Sequence, residues 1–106
     1  MTARIRLPNR RASTTFTFPC GKHTYIATTS YFQNGDLAEI FLSNGRAGSD
    51  IDAAAKDSAV LASIGLQYGI PLDILRKALL RDASGKASSP LGTALDIIAV
   101  ELEAGR

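Results

Sequence analysis

A change of period constrains this chain more than any other feature. From Thr14 to Leu42 polar and apolar residues alternate in short runs, whereas after residue 49 the apolar residues recur every three to four positions. Side chains alternate across a strand and repeat every 3.6 residues around a helix, so strands come first and helices follow. That order means α+β: an antiparallel three-stranded β-meander followed by three helices packed on one face. Residues 14–18 (TTFTF) form the first strand, and PCG interrupts it. Residues 23–32 (HTYIATTSYF) resume with aromatic and β-branched residues, and residues 37–42 (LAEIFL) return.

Asn34-Gly35 lies between the last two strands. This pair suits a two-residue type I′ turn, which needs positive φ at both central positions. The register then predicts Phe32 opposite Leu37, Tyr31 opposite Ala38, Ser30 opposite Glu39 and Thr29 opposite Ile40. One face carries Tyr25, Ala27, Thr29, Tyr31, Ala38, Ile40 and Leu42; the other carries Ile26, Thr28, Ser30, Phe32, Leu37, Glu39 and Phe41. Both faces are substantially apolar, yet helices on one side cover only one of them. The second face is therefore either a set of scattered surface aromatics that need no partner or an interface with another subunit or domain; as an interface it would run through Ile26, Phe32, Leu37 and Phe41, and the chain is expected to be a homo-oligomer.

The first helix is predicted over Asp50–Tyr68, with a small-residue stripe of Ile51, Ala54, Ala55, Ser58, Leu61, Ala62 and Gly65 facing inward. Gly69 terminates it, and Pro71 opens a second helix over 71–81 that buries Leu72, Leu75, Ala78 and Leu79. After a polar loop at 82–88, Ser89 caps and Pro90 starts the last helix, with Leu91, Leu95, Ile98, Ala99 and Leu102 inward.

The chain has 106 residues, 45% of them hydrophobic, the size of one domain able to bury a core. Residues 1–13 read as a basic flexible arm ahead of the 14–106 domain, with Arg4, Arg6, Arg10 and Arg11 and no acid among the first eleven residues. Such an arm is either solvated or an electrostatic tether to phosphate or an acidic partner. A formal charge of +2 is too balanced to argue for nucleic acid as the main partner. A single cysteine, Cys20, excludes an intrachain disulfide and suits a reducing compartment. There is no secretory h-region and no membrane-length apolar run, so the expected location is cytoplasmic, without a membrane partner.

Catalytic machinery is sparse. His23 is the only histidine; with Cys20 it could supply two metal ligands, but no second pair completes a site, so no metal is expected. Residues three apart around a turn point to opposite faces unless the turn reorients them, which disfavours a cysteine–histidine nucleophile pair. The one phosphate-like element is SNGRAGSD, residues 43–50. An anion there would meet Arg46, Gly48 and Ser49 at the start of a helix. The loop lacks a P-loop lysine and the dinucleotide glycine set, and Asp50 and Asp52 already supply first-turn negative charge, so a capped corner is the favoured reading.

Several elements taken in order resemble the TSCPD domain family: Cys20-Gly21; Gly35 with Glu39-Ile40-Phe41; Gly45-Arg46-Ala47-Gly48; and Gly69-Ile70-Pro71-Leu72. That domain occurs at the C-terminal end of adenosylcobalamin-dependent ribonucleotide reductases and as short stand-alone proteins. Where the family carries a second cysteine, in its Thr-Ser-Cys-Pro-Asp stretch, this chain reads Ser88-Ser89-Pro90-Leu91. That departure argues against paired-cysteine chemistry. The resemblance implies an accessory or interaction module in deoxynucleotide synthesis, with a reductase catalytic chain as partner and no catalysis by this chain itself. Adenosylcobalamin would enter only through the family's large subunit. The alternative is a nucleotide or nucleic-acid binding module using the arm and the Gly45–Gly48 loop.

Overall fold

A computed structural model describes residues 3–105. Met1 and Thr2 of the expected arm, and Arg106, lie outside the described residues. Three strands, β1 (Thr14–Cys20), β2 (His23–Tyr31) and β3 (Leu37–Ser43), form an antiparallel sheet in the order β1-β2-β3. Three helices follow: α1 (Asp50–Gln67), α2 (Leu72–Ala78) and α3 (Pro90–Ala104). The architecture is the α+β meander expected from the change of period.

The β1–β2 hairpin closes on Gly21-Lys22, and Gly21 has φ +60°, the sign a type II′ turn requires at its first central residue. The β2–β3 connection departs from expectation. The Phe32 amide donates to the Asp36 carbonyl and the Gly35 amide to the Phe32 carbonyl, each at 2.9 Å. Among the described residues only glycines have positive φ, Gly35 at +93° included, so Asn34 does not adopt the type I′ conformation. The loop is instead Gln33-Asn34-Gly35, with glycine in the left-handed position of a three-residue hairpin. Asn34 favours this form, because its Oδ1 accepts from the Asp36 amide at 2.9 Å.

That loop alters the register. Ser30↔Glu39 and Thr29↔Ile40 pair as expected, but Tyr31 pairs with Leu37 instead of Ala38, and Ala38 becomes the extra residue of an irregularity in β3. Leu37 is thereby turned to the inner side and is 3% exposed. It belongs to the core, and its assignment to the second sheet face is corrected. The rest of the expected inner set is where the alternation put it: Tyr25, Ala27, Thr29, Ala38, Ile40 and Leu42 are buried, and Tyr31 is half-buried.

On that face Leu91, Ala94, Leu95 and Ile98 of α3 join Phe18, Tyr25, Ile40 and Leu42 in one apolar cluster. Ser89 caps α3 by accepting from the Gly92 amide at 3.1 Å, with Pro90 at the helix start. Helix α2 is shorter than expected and buries no residue fully; Leu72, Leu75 and Leu79 pack partly against the core, while Ala78 is exposed. It is tied to α3 by ion pairs, since Asp96 accepts from Arg76 Nε at 2.9 Å and from both Arg81 terminal nitrogens at 2.8 Å.

The inward stripe of α1 is rotated from the expected one. The buried residues are Asp52, Ala55, Ala59, Ala62, Ser63, Leu66 and Gln67, whereas Ile51, Val60 and Leu61 are exposed. The reason is that α1 lies along the free edge of β3, where backbone groups need partners. Ser63 Oγ accepts from the Ile40 amide and donates to the Ile40 carbonyl, each at 2.9 Å. Gln67 Nε2 donates to the Ala38 carbonyl at 3.1 Å. Small alanines let the helix approach, and polar side chains satisfy the edge, so the buried stripe is partly polar.

Candidate functional site

The Gly45–Gly48 loop is built around one carboxylate. Asp52 is 2% exposed; its Oδ1 accepts from the Asn44 amide at 3.0 Å and from Ser43 Oγ at 3.2 Å, and Lys56 lies 2.7 Å from Oδ2. The Lys56 hydrogen bond, then that of the Asn44 amide, holds this carboxyl below its ordinary range. Ser49 Oγ accepts from the Asp52 amide at 3.2 Å and donates to the Arg46 carbonyl at 2.8 Å, an N-cap committed within the loop. The Gly45 amide is taken by Ser43 Oγ and the Arg46 amide by Asn44 Oδ1. Arg46 is exposed, and its guanidinium makes no hydrogen bond or ion pair among the described residues. Arg46, Gly48 and Ser49 are thus neighbours, but much of the backbone an anion would need is already bonded, and a buried carboxylate occupies the centre of the turn.

Cys20 and His23 are cross-strand partners at the β1–β2 turn. Directly opposed residues share a face, so the turn brings the two side chains to the same, inner side, where the i,i+3 spacing alone implied opposite faces. Both are half-buried. Thr93 Oγ1 donates to Cys20 Sγ at 3.7 Å, and His23 meets the Tyr25 ring edge-on at 6.5 Å. Burial, and secondly the nearby Cys20, push the Tyr25 hydroxyl above its ordinary value. No group of three or more histidine, cysteine, aspartate or glutamate residues converges among the described residues. Ser89 caps α3 through its hydroxyl.

Of the expected interface residues, Ile26 and Phe41 share the outer face, 40% and 45% exposed. With Thr28, Lys56 and Val60 they line a shallow hollow of about 360 Å³. Phe32, half-buried, sits apart from them, in a larger groove whose walls also include Leu7, Arg10, Ile70 and Leu102. One wall of that groove is the N-terminal segment, which has no regular secondary structure but is bonded to the domain. The Ile5 amide donates to the Gln67 carbonyl at 2.8 Å, Arg4 Nε to Gln67 Oε1 at 2.7 Å, and Arg11 pairs with Glu39 at 2.7 Å.

Ser63 and Gln67 escape the sequence reading, which gives Asp52 only as first-turn negative charge and not as a buried residue. Their signal was present: they fall on the stripe of Ala55, Ala59, Ala62 and Leu66, and polar residues at helical spacing among alanines mark a helix that faces backbone.

The elements define an α+β domain of one meander and three helices, with a glycine corner leading into a small-residue helix. Residues 1–104 match the TSCPD domain, and the chain belongs to that family. It is 37% identical over 70 residues to the vitamin B12-dependent ribonucleotide reductase of Agrobacterium fabrum, covering 66% of this chain and 6% of that protein. It is 34% identical over 73 residues to the enzyme of the same name from Bradyrhizobium diazoefficiens, covering 69% and 6%. Against that from Streptomyces clavuligerus it is 37% identical over 71 residues, covering 66% and 7%. The chain therefore spans only a small fraction of these relatives' length. No solved structure matches. Among the described residues no helix is long and apolar enough to cross a membrane.

Proposed function

We propose that this chain is an interaction module of deoxynucleotide synthesis that docks on a ribonucleotide reductase catalytic chain and is not catalytic alone. The observation that carries the reading is the outer sheet face. Ile26 and Phe41 stand 40% and 45% exposed beside Val60 of α1, on the sheet face opposite α3, in a chain related to a short segment of a much longer enzyme. Adenosylcobalamin belongs, on this reading, to the catalytic chain. Burying the part of these two side chains that is still exposed would contribute on the order of 1–3 kcal/mol before association entropy is subtracted, enough to matter only within a larger interface. The test is a binding titration of the purified chain against the B12-dependent reductase of the same cell. Saturable binding lost in an Ile26→Asp/Phe41→Asp variant supports the reading, and no binding overturns it.

The second reading, nucleotide or nucleic-acid binding through the arm and the Gly45–Gly48 loop, draws on the exposed Arg46 guanidinium, which has no partner among the described residues. It is weaker, because the loop's Gly45 and Arg46 amides already have partners and Asp52 opposes an anion.

A further inference from the structure

The two edges of the sheet are treated differently. The β3 edge is closed by α1 through Ser63 and Gln67. The β1 edge has no strand beside it, and no described residue outside the β1–β2 ladder bonds the backbone of Thr15, Thr17 or Pro19. The turn fixes which groups this edge offers. In a hairpin closed by two residues the flanking pair, Cys20 and His23, is hydrogen-bonded, so Phe18, Phe16 and Thr14 also bond inward to β2. The N–H and C=O groups of Thr15 and Thr17 then point outward. Pro19, which has no N–H, occupies an outward position, the one place in a strand where proline costs no ladder bond.

Exposed edges in natural sheets are blunted by charge, by proline, by bulges or by cover. This one carries only Pro19, at its turn end: no charged residue lies between Arg11 and Lys22, the β1–β2 register is regular through all seven pairs, and Thr15 and Thr17, which keep their N–H groups, are exposed. We infer that β1 pairs antiparallel with β1 of a second copy, joining two meanders into one six-stranded sheet. A two-fold axis at Phe16 sets Thr15 opposite Thr17 of the second copy and the reverse. Thr15 and Thr17 then exchange four backbone hydrogen bonds across the axis. Phe16, half-buried and already 5.9 Å from the Phe18 ring, meets its own counterpart on the inner side. An identical strand suits this edge because it is uncharged and its outward donors and acceptors are self-complementary under that axis. Because α1 closes the opposite edge, pairing stops at two chains.

This inference is independent of docking to a reductase, since it uses the strand edge and not Ile26 or Phe41. The experiment is light scattering coupled to size exclusion over a concentration series, on the wild type, Thr17→Pro and Thr15→Lys/Thr17→Lys. The first variant removes one outward donor at an edge that tolerates proline; the second gathers four positive charges about the axis. The expected result is a wild-type molar mass of two chains and a dissociation constant raised at least about tenfold in both variants. Hydrogen exchange on the wild type decides the matter if a variant misfolds: the Thr15 and Thr17 amides are expected to gain protection with concentration. A single-chain mass at the highest attainable concentration overturns the inference. So does a dimer that both folded variants leave intact, or free exchange of these two amides within the dimer.

Discussion

Replacing Ser63 with alanine removes one hydroxyl and strands two backbone groups. Ser63 is 4% exposed, and its Oγ both accepts from the Ile40 amide and donates to the Ile40 carbonyl at 2.9 Å. Ile40 itself is fully buried, so water does not replace the lost partner. A buried donor or acceptor left unmade costs about 1–3 kcal/mol. Two such groups, with some relief from alanine's higher helix propensity, give an expected loss of roughly 2–4 kcal/mol. That is a large part of the ~5–15 kcal/mol that holds a domain together. For a domain of this size it lowers the thermal midpoint by roughly 8–20 °C. The assay is urea unfolding followed by circular dichroism, with an unchanged slope against denaturant showing that the unfolded state is the same. Ser58→Ala is the internal control: Ser58 Oγ bonds only the Ala55 carbonyl of its own helix, at 2.9 Å, and its removal is expected to stay within about 0.5 kcal/mol. Equal small effects for the two serines would refute the claim that α1 is held by closing the sheet edge.

Asp96 is held down to about 2 from its ordinary 3.8, by Arg81 first and by Arg76 also. Because the folded value lies below the unfolded one, these pairs contribute fully above about pH 4 and lose their contribution as pH falls toward 2. Asp96→Asn is therefore expected to be less stable than the wild type at neutral pH, with the gap closing over that acid window, as read by urea midpoints against pH. Arg46→Ala is expected to change stability by less than about 0.5 kcal/mol and to leave deoxynucleotide titrations indistinguishable from wild type; a clear loss of binding would revive the loop as an anion site. Cys20→Ser is expected to cost about 0.5–1.5 kcal/mol through lost packing and the weakened Thr93 contact, and elemental analysis is expected to find no zinc in the wild type.

The parts legible in the sequence were those where one physical demand acts alone. Alternation from Tyr25 to Leu42, Leu37 apart, identifies the inner face because burial against the helices dominates there. Ser89-Pro90 located the start of α3 because a cap and a proline at the first turn serve the helix itself. Elsewhere two demands competed. Asn34-Gly35 signalled a hairpin, but the Asn34 side chain bonds the Asp36 amide, and a three-residue loop with a shifted Leu37 displaced the two-residue turn. The apolar residues of α1 suggest one stripe, yet the helix faces unpaired backbone, so Ser63, Gln67 and Asp52 turn inward while Leu61 is left 71% exposed. Cys20 and His23 were separated by a rule for continuous strands that a two-residue turn reverses. The Arg76–Asp96–Arg81 cluster joins residues up to twenty apart and leaves no periodic trace.

The most direct test of the account is calorimetric titration of the folded chain into the B12-dependent reductase of its own cell. Wild type and the Ile26→Asp/Phe41→Asp variant are compared after circular dichroism has shown both to be folded. The account predicts saturable binding by the wild type and a loss of at least about tenfold in the variant, because two desolvated apolar anchors would be replaced by charges. Equal binding by both chains, or no heat from either, would contradict the outer sheet face as the docking surface.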